Sequence, residues 1–247
     1  MTLQLKGISL KRGAETHIYP TDLTLQQEQF NVLLGTTLAG KTSLMRLMAG
    51  LEQPASGSVW FEGKDITKLS VQDRDVAMVY QQFINYPNFT VYENIASPLK
   101  LKGVSKKNIH STIENVAALL KLTPMLNRNP SELSGGQQQR TALARALVKS
   151  ARIVLLDEPL ANLDYKLREE LREELPRLFR NTGSTVVYAT TEPSEALLLG
   201  GYTAALSEGR VVQFGPTSEV YRTPLNQESA KVFSDCLLYT SPSPRDS

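Results

Sequence analysis

The stretch that most narrows the possible folds is GTTLAGKTS, Gly35 to Ser43, set between the apolar run FNVLL and the helix-like run KTSLMRLMAGL. It fits G-x-x-x-x-G-K-[ST], and its place after a strand and before a helix makes it a phosphate-binding loop rather than a chance glycine turn. Gly35 and Gly40 let the backbone curl so that the N–H groups along Thr36, Thr37, Leu38 and Ala39 face an anion, and the helix that follows adds the positive end of its dipole. Lys41 can neutralise the β and γ phosphates of a nucleotide. The Thr42 hydroxyl is placed to ligate Mg²⁺, and Ser43 can donate to a phosphate oxygen.

Two further stretches fit this chemistry. In IVLLDEP, the apolar residues Ile153 to Leu156 bury a strand and deliver Asp157 and Glu158 at its carboxyl end, where open α/β sheets bind ligands. Asp157 suits a magnesium shell, and Glu158 can accept a proton from an attacking water. In LSGGQQQR, Ser134, Gly135, Gly136 and Gln137 open a helix and make a second anion site. One nucleotide already has its loop, so this second site points to the nucleotide of a partner chain.

Around these motifs the chain changes character. The first sixty or so residues alternate short β-type runs with turns, which predicts strands partly in an antiparallel layer. From about Asn85 to Ser150 helix-forming stretches dominate, broken by Pro98, Pro124 and Pro130. Strands return as RIVLLDEP and TVVYAT. Between them lies a helix with Leu167, Leu171, Leu175 and Leu178 on one face and a kink expected near Pro176. That alternation implies a parallel sheet, hence an α/β fold.

Composition adds mainly exclusions. The 27 basic and 25 acidic residues are spread along the chain with no basic block, so charge gives no reason to expect nucleic acid. No apolar run reaches the ~18 residues of a transmembrane helix, and MTLQLKGISLKRG lacks a signal-peptide core, which predicts a cytoplasmic chain able to dock onto a membrane protein. The single cysteine, Cys236, begins CLLYTSPSPRDS. Residues 236–247 back-translate into something like a transposon-end sequencing adapter and are set aside as non-native; a natural Ser/Pro-rich terminus is the alternative.

Taken together, GTTLAGKTS, LSGGQ, IVLLDEP and LANLD resemble the nucleotide-binding subunit of ATP-binding cassette (ABC) transporters, over roughly residues 3 to 235. The resemblance implies a P-loop ATPase core of residues 1–84 and 149–235, with an antiparallel β subdomain and a helical subdomain inserted at 85–148. It implies ATP and Mg²⁺ as ligands, permease subunits in the membrane as partners, and a peripheral place on the cytoplasmic face. It also implies a head-to-tail pairing with a second ATP-binding subunit, identical or different, in which Ser134 to Gln137 meet the partner's ATP. VYQQFINYPNFTVYENI resembles the Q-loop and makes Gln81 the sensor of magnesium and water. TVYENIASPL looks most like importers of carbohydrates and polyols, and THIYPTDL and YATTEPSEALLLG are similar to glycerol-type importer subunits. The end of the chain resembles the passage into a carboxy-terminal regulatory β domain, so a longer natural protein is expected.

Two departures stand out. Where the family places an aromatic ring on adenine, this chain reads LKRGAETHIYP, which leaves Tyr19 or His17 as substitutes. Where the family has its switch histidine, this chain has Thr191; the only histidines, His17 and His110, lie elsewhere. Threonine is shorter and never cationic, so the reading is an ATPase with weakened hydrolysis at its own site. A soluble cassette ATPase outside transport, or a regulatory ATP-binding module without turnover, stays open as an alternative.

Overall fold

Strand alternation at the amino end produces a hairpin: β1 (Leu3–Arg12) and β2 (Glu15–Leu25) pair antiparallel, with Leu3 opposite Leu25 and Arg12 opposite Glu15. The computed structural model describes residues 2–82, 84–161, 163–179 and 182–233. The adapter-like tail lies outside the described residues. The hairpin is followed by β3 (Phe30–Leu34), α1 (Lys41–Ala49), β4 (Ser56–Phe61), β5 (Lys64–Asp65) and β6 (Val76–Val79). Three longer helices then intervene, α2 (Val91–Leu101), α3 (Lys106–Leu119) and α4 (Gly135–Lys149). The chain returns to the sheet through β7 (Ile153–Asp157), α5 (Tyr165–Phe179), β8 (Thr185–Thr190) and α6 (Pro193–Leu199). It closes with β9 (Tyr202–Ser207), β10 (Arg210–Pro216), α7 (Thr217–Arg222) and α8 (Gln227–Val232).

The strands form two sheets, an antiparallel one ordered β2-β1-β4-β5 and a six-stranded one ordered β10-β9-β3-β8-β7-β6. In the second, β9, β3, β8, β7 and β6 run parallel and only β10 is antiparallel. Its strands read as continuous apolar runs because both faces are covered. Successive side chains take opposite sides: Val154, Leu156, Val186 and Tyr188 join a core with α2 to α6, whereas Ile153, Leu155, Val187 and Ala189 join one with α1 and the antiparallel sheet. The parallel sheet is therefore the middle layer, and helix α1, which begins in the phosphate loop, is packed within the second core.

Pro98 corrects a sequence expectation. It lies inside α2 instead of breaking it. A proline there deprives the carbonyl four residues back of its N–H donor. That carbonyl belongs to Asn94, and the Ser97 hydroxyl donates to it at 2.8 Å. Pro176 likewise sits within a helix, α5, whose Leu167, Leu171 and Leu175 face the core as their spacing predicts.

Candidate functional site

Four neighbouring parallel strands, β6, β7, β8 and β3, end on the same edge of the sheet. Beyond those ends lie Gln81, Asp157 with Glu158, Thr190 with Thr191, and Gly35. Topology thus gathers residues from more than 150 positions of sequence into one crevice, as it does wherever ligands bind open α/β sheets.

Lys41 is only 5% exposed, and its Nζ donates to the carbonyls of Gly35 at 2.8 Å and Thr36 at 3.0 Å. The ammonium is held inside the arc of the loop, 3.8 Å from Glu158 Oε1. Burial lowers its pKa, and the charges of Glu158 and Asp157 oppose that shift. Thr42 Oγ1 donates to Asp157 Oδ2 at 2.8 Å. Burial raises the Asp157 pKa, the Thr42 hydrogen bond working against it. Gln81 Nε2 donates to Glu158 Oε2 at 2.9 Å.

Glu158 adopts a φ of 46°, a left-handed conformation unusual for a residue with a Cβ. Its N–H donates to the Ala189 carbonyl at 3.0 Å, and its own carbonyl accepts from Gln139 Nε2 of α4 at 3.3 Å. The strand therefore ends in a sharp turn that sends the carboxylate to Lys41 and Gln81.

The loop itself is braced from outside. Gly40, with φ 103°, lies where an added Cβ would come within 2.7 Å of Ile18. Gly209, in the turn between β9 and β10, donates its N–H to the Ala39 carbonyl at 3.0 Å. With φ 75°, its Cα side faces the His17 carbonyl too closely to admit a Cβ. Nothing in the sequence motifs singles out Gly209, because its role depends on a contact across the fold.

A cavity of about 270 Å³ occupies this crevice, lined by Arg12, His17, Thr37, Leu38, Gly40, Lys41, Thr42, Ser43, Gln81 and Glu158. Tyr19, expected as a substitute for the adenine-stacking ring, is not among the lining residues. Tyr19 is two residues, about 7 Å, beyond His17 along β2. Its ring is covered by the Arg210 guanidinium at 3.5 Å, and its N–H donates to the Gly209 carbonyl. Arg12, overlooked in the sequence as a site residue, stands in the cavity beside His17.

Thr191 lies just past β8 and is exposed. It shares a small cleft with Glu158, Ala161, Thr190, Glu192 and Glu195. Behind it the buried Glu195 carboxylate accepts from Thr190 Oγ1 at 2.6 Å, the Tyr188 hydroxyl at 3.0 Å and Arg172 Nη2 at 3.0 Å. Arg172 pairs in addition with Glu169 and Glu192. This ion-pair cluster fixes the turn carrying Thr191, and its members were not legible as site residues.

Ser134 caps α4 as read from the sequence. Its Oγ accepts from the Gln137 N–H, and Gln137 Oε1 accepts from the Ser134 N–H at 2.9 Å. Ser134 to Gln137 do not line the phosphate-loop cavity of their own chain.

As a metal site the crevice offers oxygens. No group of three or more His, Cys, Asp and Glu among the described residues could hold a metal by itself. The Thr42 hydroxyl and Asp157 carboxylate, in direct contact, match an ion such as Mg²⁺ that takes one or two protein oxygens and fills its shell with phosphate and water.

Phosphate loop, carboxylate-ended strand and a capped glycine pair on a separate helix, on a three-layer α/β frame, define an ATP-binding cassette. Residues 18–161 match the ABC transporter family, and the chain belongs to it. The chain is 43% identical to the trehalose/maltose import ATP-binding protein MalK of Thermococcus litoralis, over 87% of this chain and 59% of that protein. It is 39% identical to the sn-glycerol-3-phosphate import ATP-binding protein UgpC of Pectobacterium atrosepticum, over 90% of this chain and 62% of that protein. Identity is 35% to the Fe(3+) ions import ATP-binding protein FbpC of Escherichia coli O157:H7, over 96% of this chain and 68% of that one. The chain thus spans about six tenths of the length of the first two. A dimeric ATP-binding cassette, solved in a post-hydrolysis state with ADP and Pi, superposes with a TM-score of 0.79 at 28% identity, covering 87% of this chain and 98% of that one. No helix among the described residues is long and apolar enough to cross a membrane.

Proposed function

We propose that this chain binds ATP with Mg²⁺ and hydrolyses it as the peripheral energising subunit of a membrane importer for a carbohydrate or polyol solute, with turnover at its own site weakened by Thr191. One observation carries the reading: Lys41, Thr42, Gln81 and Glu158 line one cavity, where Glu158 is paired with Lys41 and hydrogen-bonded by Gln81, and Thr42 is hydrogen-bonded to the buried Asp157 carboxylate. The loop N–H groups and the Lys41 ammonium hold the phosphates. Thr42 and Asp157 would hold Mg²⁺, which when bound neutralises phosphate charge. Glu158, oriented by Gln81, takes a proton from the water that attacks the γ phosphorus; the bond from that phosphorus to the β-phosphate oxygen breaks, and ADP leaves with the charge on that oxygen held against Lys41.

Thr191 occupies the place of the family's switch histidine and shares a cleft with Glu158, but its neutral hydroxyl brings no cationic character to the charge that develops in the transition state. The complementary proposal is a head-to-tail dimer with a second ATP-binding subunit, identical or different, whose ATP meets Ser134 to Gln137. A different partner would supply a fully competent site. The sugar and glycerol-phosphate importers among the relatives support the solute class, and the iron importer shows that the cassette alone does not fix it. We divide the chain into a core of 1–84 and 149–235 and a helical insertion of 85–148, a division supported by α2 and α3 falling within the insertion and α4 ending at Lys149. The insertion would engage the permease at the cytoplasmic face.

The test is phosphate release from ATP by the wild type and by Thr191→His. The expected outcome is tight ATP binding with slow turnover in the wild type and a rate about tenfold or more higher in the variant. Equal rates would remove Thr191 from the account. A chain that binds no ATP would remove the reading as a whole.

A further inference from the structure

The cavity is lined from two parts of the fold: Lys41, Thr42, Ser43, Gln81 and Glu158 come from the phosphate loop and the strand ends, and Arg12, the last residue of β1, and His17 on β2 come from the antiparallel sheet. If phosphates lie on the loop, the base of the nucleotide lies against the antiparallel sheet, where no Phe, Tyr or Trp ring lines the cavity among the described residues.

Arg12 is not a loose surface cation. Its Nη2 pairs with Glu52 Oε1, and the same oxygen accepts from Arg46 Nε of α1 at 2.9 Å. Glu52 follows the helix that starts in the phosphate loop, so the guanidinium is tethered to the element that positions the phosphates. The Arg12 side chain lines the cavity and is 49% exposed, so it can be reached by a bound molecule. A guanidinium plane stacks flat on aromatic rings, whereas an ammonium has no plane to stack.

We infer that Arg12, held by Glu52, replaces the missing aromatic ring and covers one face of the nucleotide's purine, with His17 beside it. This rests on the ATP-binding reading above and adds the residue that recognises the base. Because Glu52 already engages one end of the guanidinium, the contact uses its face rather than its edge. A π face is common to adenine and guanine, so the site does not separate the two.

Calorimetric titration of the purified chain with ATP, GTP and inorganic triphosphate tests this. The wild type is expected to bind ATP and GTP within about threefold of each other, as stacking without edge contacts implies. Arg12→Ala is expected to weaken both by about tenfold, the loss of one flat-stacked face on the base. Arg12→Lys, which keeps the charge and loses the plane, should fall nearly as far, and Arg12→Tyr should return to wild-type affinity. Triphosphate affinity is expected to change less than about twofold in all three variants, which also shows that their phosphate loops are folded. Wild-type affinity in Arg12→Lys, or an equal loss for triphosphate, would overturn the inference and reduce Arg12 to a general charge. Binding of triphosphate as tightly as ATP by the wild type would overturn the base contact alone; binding of neither would overturn the ATP-binding reading beneath it.

Discussion

Glu158 holds a backbone conformation that costs on the order of 1 kcal/mol, and the structure spends two hydrogen bonds keeping it there. That cost fits the role proposed for Glu158, in which its carboxylate faces the γ phosphate instead of following the strand outward. Glu158→Gln keeps the shape and removes the base, so ATPase activity is expected to drop by about 100-fold or more while ATP affinity changes little. Phosphate release set beside ATP titration checks both halves. Behind Thr191, Tyr188 gives a prediction of another sort. Burial first, and then the adjacent Glu195 carboxylate, hold its pKa well above the ordinary tyrosine value. The folded chain therefore keeps the phenol neutral where the unfolded chain ionises, and the stability this contributes below about pH 10 is lost as pH rises beyond it. Tyr188→Phe should lower stability at neutral pH by about 1 kcal/mol, for the lost hydrogen bond, and flatten the alkaline decline. Urea unfolding at neutral and alkaline pH measures both; an unchanged alkaline slope would count against Tyr188 as its source.

At the start of helix α4, Ser134 joins an observed structural duty to a proposed one. Ser134 closes a capping box with Gln137, and Ser134 and Gly135 are exposed where a partner's phosphates would arrive. Replacing Ser134 by Ala should cost about 1 kcal/mol of stability through the lost cap. Ser134→Asp keeps a good cap yet sets a carboxylate against phosphate, so it should melt like the wild type and fail to dimerise with ATP. Thermal melts and size-exclusion chromatography with ATP separate the two duties; an Asp variant that still dimerises would detach Ser134 from the interface. The cap was legible because S-G-G-Q carries its signal within four residues. Pro98 misled because relief of its broken hydrogen bond comes from Ser97, and a side-chain rotamer is not written in a propensity.

At the scale of the molecule, the phosphate loop is supported from three directions: β3 below it, the antiparallel sheet through Ile18, and the β9–β10 turn through Gly209. Gly209 touches no nucleotide in the proposed site. Gly209→Ala forces a Cβ against the His17 carbonyl at positive φ, a strain of about 1–3 kcal/mol. ATP affinity is expected to fall several-fold together with a lower melting temperature, read by titration and thermal unfolding. Unchanged ATP affinity would show that the loop holds its shape without that turn.

The order of elements and the identity of the chemical groups were determined by sequence alone. Gly35 to Ser43, the apolar run ending in Asp157 and Glu158, and the serine-capped helix are local patterns, and local patterns follow from backbone sterics and hydrophobic periodicity. What only the tertiary structure decided is which of those groups meet. Strand order β6-β7-β8-β3 brings Gln81 to Glu158 and Thr42 to Asp157. A register of two residues along β2 sends Tyr19 to Arg210 and leaves His17 beside Arg12 in the cavity. Pairings across a sheet depend on packing between segments far apart in the chain, and no window of sequence contains both partners.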